Sequence, residues 1–134
     1  MMEDLMNKHG EWKVGDEEHR RAVVWLKGAL NLIGIFPDKS GHFHIVNAVL
    51  LGLEESPYDK QQKIYEKVAK LHERTQESVG RNVRNAIRYA HNTGNLHKAN
   101  ELFNTVLVDD DNYPTATSLI LLLTQHLRMH LEGC

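Results

Sequence analysis

The sequence predicts an all-α fold of about six helices within a single domain. Apolar residues recur at spacings of three and four along most of the chain, which is typical of amphipathic helices. Strand-like alternation is hard to find, and the 9 glycines and 3 prolines are few enough to mark turns between elements. At 134 residues, 41% of them hydrophobic, the chain is long enough to bury one core.

Two regions are distinguished along the chain by their periodicity. Residues 1–15 lack a helical pattern and are predicted to form a flexible N-terminal arm, whereas residues 16–134 are predicted to form the helical domain. The first helix starts near its acidic residues and ends where Gly34 and Pro37 interrupt it. A second helix is expected over about residues 42–53.

The next two helices form a helix-turn-helix in this prediction. Ser56-Pro57 is a start signal for the third helix, because serine caps helices and proline suits the first helical position. A short polar turn at residues 72–75 separates this helix from a fourth one over about residues 76–90. The motif therefore spans about residues 60–91, and Gly94 can take the left-handed conformation that ends many helices.

The C-terminal part is predicted to hold two further helices, one over about residues 96–105 and one over about 115–131. An exposed acidic loop at residues 109–114 connects them. The run at 119–123 is apolar on every face, and a helix of that kind is buried on every face. We expect a second copy of the chain to cover part of this surface, the alternative being burial in the central core. The side chains assigned to such a dimer interface are Leu119, Leu123 and Leu127.

Charge is concentrated in the middle of the chain. Residues 60–98 hold nine lysines and arginines against three acids, whereas the whole chain has a net charge of −2. A basic centre on an acidic protein indicates a local surface for a polyanion. Because this window also contains the helix-turn-helix, double-stranded DNA is the predicted partner.

The fourth helix has the two faces that a recognition helix requires. Its apolar stripe consists of Val79, Val83, Ala86, Ile87 and Ala90. Its opposite face consists of Arg81, Asn82, Arg84, Asn85, Arg88 and Tyr89. No carboxylate follows Glu77, so this face can meet DNA, where arginine pairs with guanine and asparagine with adenine in the major groove. The side chains predicted to contact flanking phosphates are Lys67, Lys70 and Arg74.

A family resemblance lies in the order and spacing of short pieces over about residues 20–131. Those pieces are Ile33-Gly34-Ile35, Gly41, Ala48-Val49, Ile64-Tyr65, Val68-Ala69-Lys70, Val83, Ala86-Ile87-Arg88, Ala90, Gly94-Asn95, Leu102-Phe103, Thr105-Val106, Pro114-Thr115 and Leu127-Arg128. In these pieces the chain resembles the C-terminal effector domain of the stage-0 sporulation master regulator of endospore-forming bacteria.

The resemblance implies an all-helical domain that binds short DNA boxes through a helix-turn-helix and activates or represses transcription. It also implies that two copies pair along tandem sites with help from the last helix. Two departures stand out. The chain has no room for the family's receiver domain, so we expect no phosphorylation switch within it. The family's Arg-Val-Glu-Arg pattern is replaced by residues 82–85, of which only Val83 agrees, so we expect DNA binding with a different preferred sequence.

Other functions are disfavoured by the sequence. His126 and His130 are four apart on one helix, and His42 and His44 form a second pair, but neither has a third ligand at a convincing spacing. We therefore expect no metal, no cofactor, no small-molecule substrate and no enzymatic activity. The chain has no membrane-spanning run and no secretion signal, and its lone cysteine fits a reducing cytoplasm, where we expect it to act.

A protein-interaction module is the alternative function. A copy of this domain could pair with a related regulator through its last helix and modulate it without binding DNA. The arginines at positions 81, 84 and 88 favour the DNA-binding interpretation, because such a module would not need them.

Overall fold

The computed structural model describes residues 16–54 and 61–133, so the predicted arm at 1–15 and the predicted helix start at Ser56-Pro57 lie outside the described residues. The described part of the chain consists of helices and loops without strands, which confirms the predicted all-α class. The helices are α1 (Asp16–Leu32), α2 (Ser40–Glu54), α3 (Gln61–Leu71), α4 (Gln76–Asn92), α5 (Ala99–Leu102) and α6 (Ala116–Glu132), with a 3₁₀ turn at Asn95–Lys98.

The turn between α3 and α4 is defined by a cap on each side. Glu73 is left-handed, with φ of +54°, and the N–H of Arg74 donates to the carbonyl of Ala69 at 2.8 Å. This arrangement satisfies carbonyls at the end of α3. Thr75 then caps α4, because its hydroxyl accepts a hydrogen bond from the N–H of Ser78 at 3.0 Å. The two caps fix the direction in which α4 leaves α3.

The fifth helix is shorter than the predicted span of residues 96–105. A 3₁₀ turn occupies its first part, and α5 has only 4 residues. The side chain of Asn100 explains the early end: its Oδ1 accepts from the N–H of Leu107 at 2.7 Å and from that of Val108 at 2.8 Å. Because these bonds hold the following segment back against α5, the chain reverses at Asn104, which has φ of +52°.

The central element of the fold is α2, which packs against α1, α3, α4 and α6. Its side chains from Ile45 to Leu51 are at most 1% exposed. Even its polar residues His42, His44 and Asn47 are at most 2% exposed. Among the described ranges, neither this apolar helix nor any other is long and apolar enough to cross a bilayer.

The last helix contributes one face to the core, and this corrects the expectation for its leucines. Leu119, Leu123 and Leu127 are 0% exposed, because they pack into the core of a single chain. This agrees with burial in the central core, the alternative to a dimer interface. The helix is not buried on every face, since Leu121 is 42% exposed and Met129 is 61% exposed. A second copy could therefore meet these exposed side chains, but not the three buried leucines.

Candidate nucleic-acid interface

The two faces of α4 have the burial that their sequence pattern predicts. The apolar stripe is at most 4% exposed, and it packs on α2 and α3. The opposite face is at the surface: Arg81, Arg84, Asn85, Arg88 and Tyr89 are exposed, and Asn82 is half-buried. The structure therefore brings all six predicted side chains of α4 to one side of the molecule, with no carboxylate among them.

The guanidinium group of Arg84 lies close to the helix backbone. Its Nη1 is 3.1 Å from the position that a Cβ atom on Gly80 would occupy. The missing side chain at Gly80 therefore leaves room for Arg84 to fold along the helix. The same arginine remains exposed, so it can also extend towards a ligand.

The first turn of α2 packs directly against α4. A Cβ atom on Gly41 would lie 2.5 Å from the carbonyl oxygen of Asn82 and 2.7 Å from the Cβ of Ala86. Only glycine permits this approach without displacement of either helix. The contact brings the loop before α2 beside the exposed face of α4, although this loop lies outside the basic sequence window.

Lys39 is the cation that this contact adds to the interface. Its Nζ lies 4.5 Å from the centre of the Tyr89 ring, a cation–π contact that links the loop to α4. A groove of about 300 Å³ opens between the two elements. The residues that line it include Lys39, Ser40, Gly41, Asn82, Asn85 and Tyr89.

Lys39 could not be assigned from the sequence, because it lies outside the basic window at residues 60–98. No local pattern connects it to α4. The sequence feature that comes closest to indicating this contact is Gly41. Glycine is less favourable for helix formation than a residue with a side chain, so a glycine at the start of α2 needs another reason. Such a glycine indicates a close backbone approach, although the sequence does not tell which element approaches.

The predicted phosphate contacts lie on α3 and on the turn after it. Lys70 and Arg74 are exposed, and Lys67 is half-buried. Arg74 directly precedes the cap residue Thr75 and therefore adds positive charge next to the N-terminal end of α4. Lys67 and Lys70 lie on α3, the helix before the turn.

Two histidines, the buried His44 and the half-buried His72, lie next to each other at the inner side of α4. Nε2 of His44 lies 3.3 Å from Nδ2 of Asn82, and Nε2 of His72 lies 2.8 Å from Nδ2 of Asn47. The two rings meet edge to face, with their centres 4.8 Å apart. This cluster connects α2, the turn and α4. No local sequence pattern indicates this cluster, because His44 and Asn82 are 38 residues apart in the chain.

Both histidines of this cluster are held in the neutral form. Burial lowers the pKa of His44 to about 4, and repulsion from a protonated His72 and from the Arg74 guanidinium would act in the same direction. Burial also lowers the pKa of His72, again with a contribution from Arg74. Each added proton would be poorly solvated and close to another cation, which explains the direction of both shifts.

The histidine pairs considered as metal ligands are engaged in other contacts. Nδ1 of His42 lies 2.9 Å from the carbonyl oxygen of Ile35. His126 lies against Phe103, with ring centres 4.9 Å apart, and His130 lies against Trp25 at 6.0 Å. Within residues 16–54 and 61–133, no group of three or more histidine, cysteine, aspartate or glutamate side chains could hold a metal ion.

The comparisons with known proteins agree with the resemblance inferred from the sequence. A family model described as "Sporulation initiation factor Spo0A C terminal" matches residues 26–127. The matched region includes α2 to α5, the turn before α4 and most of α6. Searches of curated proteins and of solved structures found no match.

Proposed function

The chain belongs to the family of Spo0A C-terminal domains, and on this premise we propose that it is a sequence-specific transcriptional regulator whose helix α4 enters the major groove of DNA. The family is a DNA-binding regulatory domain and not a known enzyme family. The helix-turn-helix mode of binding and the individual contacts below are our proposal for this chain.

The observation that carries the proposal is the exposed face of α4. Arginine, asparagine and tyrosine are its only side chains after Glu77. With 17 residues, α4 has a length of about 25 Å, enough to cross a major groove about 12 Å wide. Arg84 and Asn85 are the side chains best suited to base edges, because arginine reads guanine and asparagine reads adenine. Arg81 and Arg88 extend the same face.

Phosphate contacts beside α4 would set its position in the groove. The candidates are Lys67 and Lys70 on α3, Arg74 just before the start of α4, and Lys39, which contacts Tyr89 in the C-terminal half of α4. Contacts of this kind determine register and salt dependence, but carry no base preference of their own.

We also propose that two copies pair along tandem DNA boxes, as the family resemblance implies. The three buried leucines of α6 are not available for this pairing, whereas Leu121 and Met129 are exposed on the same helix. Leu121→Asp should reduce cooperative occupancy of two boxes while leaving binding to a single box unchanged. Equal cooperativity in both proteins would contradict a role for this face of α6.

Two substitutions separate base reading from phosphate binding. Arg84→Ala should weaken binding to the preferred site by about 1–3 kcal/mol and relax the base preference at one position. Lys70→Ala should weaken binding to all sequences alike and reduce the salt dependence. Arg20→Ala is the charge-matched control, because Arg20 is an exposed arginine on α1 that is paired with Glu17. Equal loss on every sequence for Arg84→Ala would refute its base-reading role.

A further inference from the structure

Asn82 is the one side chain of the α4 face that is held from inside the protein. It is half-buried, and its Nδ2 lies 3.3 Å from Nε2 of His44, which is 2% exposed. Because Nδ2 carries only hydrogens, it donates and Nε2 accepts, so the neutral ring carries its proton on Nδ1. This is the only hydrogen bond that the side chain of Asn82 makes within the part of the chain that the structure describes.

The ring of His44 is itself fixed in place. Its edge-to-face partner His72 is hydrogen-bonded to Asn47, which lies three residues after His44 on the same face of α2. Since burial lowers the pKa of His44 to about 4, its Nε2 keeps a lone pair at neutral pH. The ring can therefore act as a permanent hydrogen-bond acceptor for Asn82.

The histidine also has a cost that an apolar residue would avoid. Nδ1 of His44 is buried and has no hydrogen-bond partner among the described residues. An unpaired buried N–H is unfavourable, and leucine at this position would not have one. The hydrogen bond that the ring accepts from Asn82 offers a reason for a histidine at this buried position of α2.

We propose that His44 is a positioning residue for DNA recognition, which fixes the amide of Asn82 so that its Oδ1 and second N–H are presented to an adenine edge. The inference rests on the proposed function, since it requires that α4 lies in the major groove. Without His44, the amide would turn freely, because the terminal torsion of asparagine has a broad, roughly two-fold profile.

The chemistry of the major groove explains why adenine is the expected base. Adenine presents a donor at N6 and an acceptor at N7, and asparagine meets both with its oxygen and one N–H. The hydrogen bond to His44 uses the other N–H and leaves that pair of atoms available. If the side-chain amide of Asn82 rotated by half a turn, its Oδ1 would face the protein interior and could no longer accept a hydrogen bond from adenine N6.

The experiment compares base preferences of the full chain and its variants by selection from randomised duplexes, followed by competition with singly substituted duplexes. His44→Leu removes the acceptor, and His44→Phe removes it while keeping a flat ring. His44→Gln restores an acceptor oxygen at a similar reach. His126→Leu is the matched control, because it replaces a half-buried histidine on α6. The effect of His44→Leu is also measured in an Asn82→Ala background.

The wild-type protein should prefer adenine at one position of its site. His44→Leu and His44→Phe should each reduce this preference about fivefold, the effect of one hydrogen bond, and leave the other positions unchanged. His44→Gln and His126→Leu should keep the preference. In the Asn82→Ala background, His44→Leu should have no further effect, because the group that it positions is gone.

Three results would overturn the inference. The first is that both His44→Leu and His44→Phe keep the preference for adenine. The second is that these variants bind all sequences equally more weakly, and the third is that His44→Leu still changes the preference in the Asn82→Ala background. The second of these results would assign a purely structural role to the ring. If the wild-type protein selects no preferred sequence, both the proposed function and this inference are refuted. If the wild-type protein selects a motif and the His44 variants select the same motif, only this inference is refuted.

Discussion

Acidification is expected to destabilise this fold through the buried ring of His44. In the unfolded chain the ring takes up a proton near its ordinary pKa of 6.5, whereas in the folded chain burial lowers its pKa to about 4. Between these values the unfolded state binds more protons than the folded state. The free energy of unfolding therefore falls as the pH falls through this window, and the contribution is absent above it.

The size of this effect follows from the difference between the two pKa values. Each pKa unit corresponds to about 1.4 kcal/mol, so the full effect of His44 amounts to about 3 kcal/mol at strongly acidic pH. Between about pH 7 and about pH 5, where the unfolded ring is mostly protonated and the folded ring is still neutral, the expected loss is about 2 kcal/mol. His72 adds to the loss in the same direction.

Urea unfolding followed by circular dichroism at both pH values measures this loss. The comparison is between the wild-type protein, His44→Leu and the control His126→Leu, because other titrating groups then cancel. The wild type and the control should lose about 2 kcal/mol more than His44→Leu on acidification. If His44→Leu loses as much stability as the wild type, the ring is not held neutral and the explanation of its low pKa is refuted.

Three substitutions test the fold around the interface, each by urea unfolding. Gly41→Ala should destabilise the protein by about 1–3 kcal/mol, because its Cβ would lie 2.5 Å from a backbone oxygen of α4; an unchanged midpoint would contradict this tight packing. Gly94→Ala should destabilise the protein by only about 1 kcal/mol, because φ of +84° is strained for alanine but no atom lies within 4 Å of the added Cβ. A larger loss of stability for Gly94→Ala than for Gly41→Ala would contradict this reasoning. Asn100→Ala removes three hydrogen bonds to the backbone of residues 107 and 108 and should cost about 2 kcal/mol; a loss within measurement error would show that these bonds do not hold the loop.

The region of α3 and α4 shows what periodicity can predict. The buried stripe and the exposed face of α4 follow from a spacing of 3.6 residues per turn, and each predicted side chain lies on its expected face. Residue type alone predicts Gly94 at the end of this helix, and its φ of +84° is the left-handed conformation expected there. Local rules sufficed because each of these features depends on neighbouring residues.

The roles of α2 and α6 show where the pattern misleads. The run of leucines in α6 indicated complete burial, yet Leu121 is 42% exposed. By contrast, α2 contains His42, His44 and Asn47 and looks less apolar, but all three are buried. Their burial is tolerated because other elements supply hydrogen-bond partners, such as the carbonyl of Ile35 and the ring of His72. Partners distant in sequence cannot be read from a local pattern.

The proposed contributions of Lys39 and His44 to the DNA-binding surface could not be predicted from the sequence for the same reason. Both come from the first half of the chain and meet α4 only after folding, one from the loop before α2 and one from within α2. The basic window at residues 60–98 identified the helix that we propose for DNA binding, but not the elements that support it. A close approach of two helices at Gly41 determines which side chains complete the surface.

The central claim is that the exposed face of α4 reads a specific DNA sequence. Selection from a randomised duplex library, followed by titration of the selected duplex at two salt concentrations, tests it most directly. The account predicts an enriched motif, affinity that falls steeply with salt, and loss of the motif's base preference at one position in Arg84→Ala. Weak binding without any enriched motif, abolished by moderate salt, would contradict it and would favour a protein-interaction module instead.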